Sequence, residues 1–456
     1  MNAANYSDAL RDSSNVPLEV SLPGMRALLD VDHIGSIVRR RLQSAGYEQT
    51  ACAIEYIRYK PFTNCLATYR VTYRNSDNED HETVLWGKAF TPADFAVAKE
   101  KLKTRLKRVS DILVEGIVLE DKQIIIDDIA NDPQLHGLQT IFDPRKLRRI
   151  LYELVPDYPA SQWRISHKRL TTTIVRFKPE KRAVVRIATT ATNLVSGEVR
   201  ELVMFLRCYC DDRGNGIFAV MQNLASDSSG STQSYVPRPY AYLADKRILI
   251  VEGVNGLPLL ECLEQQDGES VFARTAGALH ELHSADYSTL SSRGRADILS
   301  DAHAAATAIT GILPDQESIV GAILVSIENE LVESDVRTGF VHGDFHHDQI
   351  LFQPAREVLL DFDRSYRGDT IADVGNFCAH LRLLEIEGRI KNAASAVEQF
   401  IGGYEKASGT TIVRHELKFW TALGILLRAI HPFRTLQPNC REQITVALDA
   451  CRECLS

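Results

Sequence analysis

Two stretches in the first half of the chain share one order of apolar and polar segments. Each opens with an aromatic, basic and proline run, Ile57–Pro61 in the first and Val175–Pro179 in the second, so that Arg58 recurs as Arg176. Both runs lead into segments rich in β-branched and aromatic residues, which lie at Cys65–Tyr73, Val84–Phe90, Ala183–Ala188 and Leu202–Tyr209. Because polar turns separate these segments, each stretch is predicted to form a three-stranded meander.

A helix and a hairpin complete the pattern in both stretches. The predicted helices and the closing strands lie at Ala93–Leu106, Gly216–Ala225, Ile124–Ile126 and Ile248–Val251. The order β-β-β-α-β-β therefore occurs twice, which predicts a duplicated structural unit. Between the two copies, Asp143 as N-cap and Pro144 at the first helical position predict a linking helix over 143–154.

Helical spacing of apolar residues dominates the chain beyond about Leu257. The segments with this spacing are Val271–His283, Asp301–Ile312, Ser318–Leu331, Val397–Glu405, Glu416–Ile430 and Arg441–Cys451, with one strand-like exception at Glu357–Phe362. Strands first and helices later predict an α+β fold. The expected division is a flexible tail at 1–16, an N-terminal repeat domain at 17–160, a second copy at 161–255 and a mainly helical domain at 256–456.

Composition and charge limit the kinds of partner that the chain is expected to bind. With 45% hydrophobic and 25% charged residues in 456, the chain is expected to fold, and its net charge of −8 gives no electrostatic reason to expect nucleic acid or an anionic membrane as partner. No apolar run reaches the roughly 18 residues of a membrane span. Nine irregularly spaced cysteines suit reduced thiols, and the polar start offers no export signal, so we expect a cytoplasmic protein. The sequence does not indicate an oligomeric state.

One segment carries an unusual density of chemical groups. His342-Gly343-Asp344 is followed five residues later by Gln349, and a strand-like run then leads to Asp361-Phe362-Asp363. Phosphoryl transfer to a hydroxyl needs a carboxylate that orients the attacking oxygen, ligands for magnesium and cations on the phosphates. The order of aspartate, amide and second aspartate supplies the first two, and oxygen ligands suit Mg²⁺.

These motifs resemble the catalytic and metal-binding segments of the aminoglycoside phosphotransferase and choline kinase superfamily, whose members carry His-Gly-Asp, four residues and then asparagine. The resemblance implies a bilobal protein-kinase-like fold, with the N-lobe at 161–255, the helical C-lobe at 256–456 and a first domain that duplicates the N-lobe. It also implies ATP and Mg²⁺ as cofactors. Asp344 would be the catalytic base, His342 would pack and brace the loop, and Gln349, Asp361 and Asp363 would hold the metal.

The resemblance extends to two further segments. Ile248–Leu259 is similar to the hinge of the family, which implies that Glu252, Gly253 and Val254 meet adenine. Asp373, in the run after the metal aspartate, is expected to brace the catalytic loop rather than to do chemistry.

The cations that could contact the phosphates match the pattern of the family less closely. Arg207 stands where kinases place the lysine of the third strand, and it keeps the charge on a larger planar head. Lys178, Lys181 and Arg182 lie at the turn that would cover the nucleotide. Lys88, in the first copy, occupies the position of the lysine there, and the sequence leaves open whether it serves the site.

The function that the resemblance implies is phosphorylation of a hydroxyl on a small molecule, such as a sugar, an aminoglycoside, an amino alcohol or a specialised metabolite. Gln349 replaces the usual asparagine, and together with Arg207 it leaves open a pseudokinase-like protein that binds nucleotide or another ligand with weak or no transfer. A metal hydrolase with His342, His346, His347 and Asp344 as ligands, and a protein kinase, are further alternatives. Fold kinship alone does not identify the acceptor.

Overall fold

A computed structural model describes residues 21–103, 116–155, 157–166, 168–226, 235–331, 338–437 and 439–456. The predicted tail at 1–16 lies outside these residues. The chain forms two compact units: within the described residues the first takes 21–215, 240–253 and 433–437, and the second takes 216–239, 254–432 and 439–456. Antiparallel sheets in the first unit and mainly helices in the second confirm the predicted α+β class.

The first unit carries most of the strands. Its elements are α1 (Met25–Leu29), α2 (Val31–Ser44), β1 (Glu48–Lys60), β2 (Asn64–Arg74), β3 (Asp80–Phe90), α3 (Pro92–Lys103), β4 (Ile117–Leu119), β5 (Ile124–Asp128), α4 (Leu138–Ile141), α5 (Pro144–Leu154), β6 (Trp163–Ile165), β7 (Thr171–Lys178), β8 (Arg182–Asn193), β9 (Val199–Tyr209), the start of α6 (Arg213–Ser226), β10 (Pro239–Leu243) and β11 (Ile248–Glu252).

The two sheets of this unit have the same strand order. The first sheet runs β1-β2-β3-β5-β4, and the second runs β7-β8-β9-β11-β10, with β6 added beside β8. The first turn of each sheet is also the same, because Phe62 and Glu180, 118 residues apart, have φ angles of 59° and 60°. The turns before β5 and β11 place Gln123 and Arg247 at φ 54°. Equal topology and equal turns are what the predicted repeat requires.

A pair of helices precedes each sheet. Gly24 before α1 and Gly137 before α4 both lie against the last hairpin of a sheet, since a Cβ would stand 2.0 Å from the Lys122 carbonyl oxygen in one case and 2.5 Å from that of Lys246 in the other. The Asp143 carboxylate caps α5 by accepting hydrogen bonds from the Arg145 and Lys146 amides. The predicted linking helix is therefore present, but its position matches that of α2 rather than that of a simple connector.

Two apolar cores hold the first unit together. One lies between α1–α2 and the first sheet and contains Leu28, Val38 and Tyr69. The other contains residues of both sheets and of α4–α5, among them Trp86 and Leu206. Because the two sheets share this second core, they fold into one compact unit, and the proposed boundary between domains at 160 and 161 stays a prediction.

The second unit is mainly helical. Its elements are β12 (Leu257–Pro258), α7 (Leu259–Gln265), α8 (Gly268–His283), α9 (Arg295–Thr310), α10 (Glu317–Glu330), β13 (Thr338–Val341), β14 (Ile350–Phe352), β15 (Glu357–Leu359), β16 (Tyr366–Asp369), α11 (Ile371–Ile386), α12 (Ala393–Ser408), α13 (Arg414–Ala429) and α15 (Cys440–Leu455), while the short α14 (His431–Arg434) passes into the first unit. The predicted strand at Glu357–Phe362 ends earlier, at Leu359. In the described part of the chain no helix is long and apolar enough to cross a membrane.

Candidate active site

The loop that carries Asp344 follows β13, which pairs with β16 in an antiparallel ribbon. Gly343 turns the chain at φ +77°, a conformation that favours glycine. A Cβ at this position would stand 2.3 Å from the Arg364 carbonyl oxygen. Glycine at position 343 is therefore required by a tight approach between the Asp344 loop and the turn after Asp361.

Asp373 at the start of α11 fixes the Asp344 loop. Its carboxylate accepts hydrogen bonds from the His342 amide at 2.6 Å and the Gly343 amide at 2.9 Å, and it is buried. The His283 ring lies 3.2 Å from the same carboxylate and 2.6 Å from the Tyr404 hydroxyl. These contacts are those of the expected brace, and α8 and α12 add two further members to it.

His342 is a buried structural side chain. Its Nε2 donates to the Leu360 carbonyl oxygen over 2.8 Å, and its ring packs against Phe345 and Phe362. Since the ring contacts neighbouring loops from within the core, it can set the position of Asp344 without touching a substrate.

Leu360 joins the three segments that carry the predicted chemistry. It accepts from His342, and its amide donates to the Gln349 carbonyl oxygen over 2.9 Å. The next residue, Asp361, has a left-handed φ of 64° and starts a 3-10 turn that contains Asp363. Asp361 and Asp363 are half-buried, whereas Gln349 is buried. The fold thus brings the loops of Asp344, Gln349, Asp361 and Asp363 together in the second unit.

The donor set fits a hard divalent cation. The Gln349 side-chain amide lies 3.0 Å from His346 Nε2, and His346 Nδ1 accepts from the Asp348 amide. Burial lowers the pKa of His346 to about 3, with further lowering by His347, so the ring is neutral. One amide oxygen and the carboxylates of Asp361 and Asp363 are ligands that Mg²⁺ prefers.

Arg428 on α13 is a site residue that the sequence did not reveal. Its Nη2 lies 2.7 Å from Asp344 Oδ1, and the two side chains are 20% and 27% exposed. Burial lowers the pKa of the guanidinium, which the neighbouring Asp344 carboxylate partly offsets. Since 84 residues separate the partners, no local motif could have indicated the pair.

The histidines near the loop do not form the metal site of the alternative hydrolase. His342 faces the Leu360 carbonyl and Asp344 faces Arg428, so two of the four suggested ligands are engaged elsewhere. His346, His347 and His380 do place ring nitrogens within 4.8 Å of one another. However, the His346 and His380 rings are stacked with centroids 4.4 Å apart and planes 18° apart, and nitrogen lone pairs lie in the ring plane, so they do not converge on one ion.

The predicted nucleotide residues lie mostly on the second sheet of the first unit. Arg207 is buried on β9 between Val184 and Leu249 of the neighbouring strands. Glu252 ends β11, and the Gly253 amide donates to the Val203 carbonyl oxygen over 3.0 Å. A Cβ at Gly253 would stand 2.6 Å from that oxygen, so the chain requires glycine here. Val254 begins the second unit.

The turn between β7 and β8 carries the remaining cations. Lys178 and Arg182 face each other across it. Its central residue Glu180 contacts the first sheet, with its carboxylate 2.7 Å from Lys88 Nζ and 3.4 Å from Arg58 Nη2. Lys88 is therefore a partner of this turn, and the roles of Lys88, Lys178 and Arg182 toward a nucleotide stay predictions.

Comparison with known proteins gives one family and several related folds. Residues 160–420, more than half of the chain, match the model of a family described as phosphotransferase enzyme family. No curated protein matches the chain in sequence.

Three solved structures illustrate the related folds. A choline kinase from Cryptosporidium parvum Iowa II is 12% identical over 68% of this chain and 96% of its own, with a TM-score of 0.49. An ethanolamine kinase from Plasmodium vivax is 11% identical over 68% and 88%, with a TM-score of 0.46. A thermostable mutant of an aminoglycoside phosphotransferase, in ternary complex with AMP-PNP and hygromycin B, is 13% identical over 64% and 93%, with a TM-score of 0.45.

Proposed function

The chain belongs to the phosphotransferase enzyme family, and from this premise we propose that it is an ATP- and Mg²⁺-dependent kinase that phosphorylates a hydroxyl of a small molecule. The observation that carries the proposal is the junction at Leu360, which joins the loops of Asp344, Gln349 and Asp361 by two hydrogen bonds. A carboxylate beside an oxygen-rich metal set is the arrangement that phosphoryl transfer needs.

Each residue has a distinct part in this proposal. Asp344 accepts the proton of the acceptor hydroxyl and orients its oxygen, while Asp373 and His342 keep the loop in place. Gln349, Asp361 and Asp363 would hold Mg²⁺, which neutralises charge on the phosphates when it is bound. Arg207, with Lys178 and Arg182, would meet the phosphates, and Glu252, Gly253 and Val254 would meet adenine.

A second candidate is a protein that binds nucleotide without transferring phosphate. The observation in its favour is the ion pair of Arg428 with Asp344, which neutralises the proposed base. In the kinase, the acceptor hydroxyl replaces Arg428 at the Asp344 carboxylate. Until the acceptor binds, Arg428 holds that carboxylate in position. The two candidates differ in turnover and agree in nucleotide binding.

The test is a screen of hydroxyl compounds for ADP release, with Asp344→Asn as the blank. We expect this variant to lose about 10²- to 10⁴-fold in turnover, the usual contribution of a general base, while its affinity for ATP stays the same. Asp348→Asn is the matched control, because Asp348 is an exposed carboxylate on the same loop outside the proposed set. Similar turnover in wild type and Asp344→Asn would refute the base assignment.

Metal-dependent nucleotide binding is measured separately by thermal unfolding. ATP and Mg²⁺ together should raise the melting temperature, since a ligand that binds only the folded state stabilises it. Asp361→Ala should remove the increase that depends on Mg²⁺. If both nucleotide and metal leave the melting temperature unchanged, the proposal fails; if they raise it but no acceptor yields ADP, the binding protein is the better description.

A further inference from the structure

A cavity of about 600 Å³ lies in the first unit, lined by the first sheet, α3 and the turn between β7 and β8. Three of its lining residues, Arg58, Lys88 and Ile125, belong to one row across the sheet, which Leu66 completes between Arg58 and Lys88. Along β3, Trp86, Lys88 and Phe90 alternate onto the same face and also line the cavity. The volume falls in the range of small-molecule sites.

The cavity has an excess of positive charge although the whole chain is acidic. Among the described residues, five cationic side chains line it and two carboxylates, Asp94 and Glu180, oppose them; the cations are Arg58, Lys60, Lys88, Lys101 and Lys181. Glu180 is shared between Lys88 and Arg58. Among the residues that the structure describes, Lys60 and Lys181 form no ion pair with a carboxylate. The charge of the lining is thus only partly balanced from within the protein.

The pKa of Lys60 agrees with this excess of positive charge. Burial lowers the pKa of its ammonium group, and the neighbouring Arg58, Lys181 and Lys88 lower it further, against a smaller opposite effect of Glu180. Like charges that are held close together favour a bound anion, because it stabilises all of them at once.

A buried donor without a partner belongs to a residue that lines the same cavity. Trp86 is 3% exposed and lines the cavity, and its indole Nε1 has no hydrogen-bond partner among the described residues. Nε of Arg58 is also buried without a hydrogen-bond partner among the described residues.

We propose that this cavity binds a small organic molecule that carries a phosphate group. The phosphate would lie among Lys60, Lys88 and Lys181, and the organic part would meet the apolar wall of Phe90, Leu102 and Ile125. In the ligand-free protein Glu180 takes the place of an anion at Lys88. The site belongs to the first unit, while Asp344 and Asp361 belong to the second, so the inference does not rest on the proposed kinase activity.

The test is calorimetric titration of the full chain with glucose 6-phosphate, inorganic phosphate and glucose. We expect one equivalent of glucose 6-phosphate to bind and glucose not to bind. Weaker binding of inorganic phosphate would support an organic phosphate as the ligand, whereas inorganic phosphate that binds as tightly would show a site for phosphate alone and overturn the organic part of the proposal. No binding of either compound with a Kd below about 10 mM would overturn the proposal.

Four variants locate the binding. Lys60→Met and Lys88→Met should each weaken affinity by about tenfold or more, as expected for the loss of a charge-assisted contact. Lys88→Met breaks the ion pair with Glu180, whereas Lys60 forms no ion pair among the described residues. Lys60→Met therefore tests the site even if Lys88→Met does not fold. Glu180→Gln should tighten binding, because it releases Lys88 and Arg58. Lys246→Met, an exposed lysine outside the cavity, is the control.

The same titration with Asp361→Ala separates this site from the proposed active site. Its affinity for glucose 6-phosphate should equal that of the wild type. Affinity that falls with Asp361→Ala, or that is unaffected by both Lys60→Met and Lys88→Met, would show that the compound binds elsewhere and would overturn the assignment.

Discussion

Asp373 should be the residue on which the geometry of the Asp344 loop depends most. Its buried carboxylate accepts from the His342 and Gly343 amides at 2.6 and 2.9 Å and contacts the His283 ring at 3.2 Å. Hydrogen bonds to a charged group contribute about 1.5–3 kcal/mol each, and the donors left behind are buried. We therefore expect Asp373→Ala to lower the free energy of unfolding of the second unit by about 3–5 kcal/mol.

Asp373→Asn removes the charge of the side chain and keeps its shape. It keeps one oxygen for one amide but turns an NH₂ group toward the other donor, so we expect a smaller loss of about 2–3 kcal/mol. Asp286→Ala is the matched control, because this exposed carboxylate also accepts a backbone hydrogen bond, from Ser288, and has no role in the loop. The control should leave the unfolding midpoint almost unchanged.

Two measurements check this reasoning. Urea unfolding gives the change in free energy, and hydrogen exchange of the peptide that contains His342 and Gly343 reports on the two amides directly. Both amides should lose protection in Asp373→Ala, and turnover should fall with them. Unchanged exchange at these amides, or a loss of stability below about 1 kcal/mol, would show that Asp373 does not hold the loop.

Two further variants test the packing around the loop. Gly343→Ala should destabilise the protein by more than Gly197→Ala. Both glycines have positive φ, which costs alanine about 1–2 kcal/mol, but only Gly343 has a carbonyl oxygen 2.3 Å from the added Cβ. Equal melting temperatures of the two variants would contradict this. His380→Phe should flatten the pH dependence of stability. Burial holds the pKa of His380 well below 6.5, so in acid the unfolded chain binds a proton that the folded chain does not. The stability from this site is complete above pH 6.5 and is lost as the pH falls below it, by at most about 1.4 kcal/mol per pH unit. Melting temperatures at a series of pH values between 6.5 and 4.5 measure the slope, and equal slopes for wild type and variant would exclude His380 as a cause.

The sequence by itself determined the features that depend on neighbours in the chain. Segments rich in β-branched and aromatic residues predicted the strands that the two sheets have in common, but not β6, and the capping pair Asp143–Pro144 predicted α5. The 118-residue offset between Arg58 and Arg176 predicted two copies of one order of elements, and the structure adds two turns of equal conformation, at Phe62 and Glu180. The spacing of Asp344, Gln349 and Asp361 indicated a phosphotransferase, because a loop, a hairpin and a turn of fixed length bring those three segments together.

Only the tertiary structure decided which distant side chains meet. Arg428 reaches Asp344 from 84 residues away, and Lys88 reaches Glu180 from 92 residues away. The same is true of α4–α5, whose apolar faces join both sheets in one core. Such contacts depend on how elements pack, and the residue type of a single arginine or glutamate carries no information about its distant partner. For this reason the repeat was visible in the sequence, whereas the basic cavity on the first sheet was not.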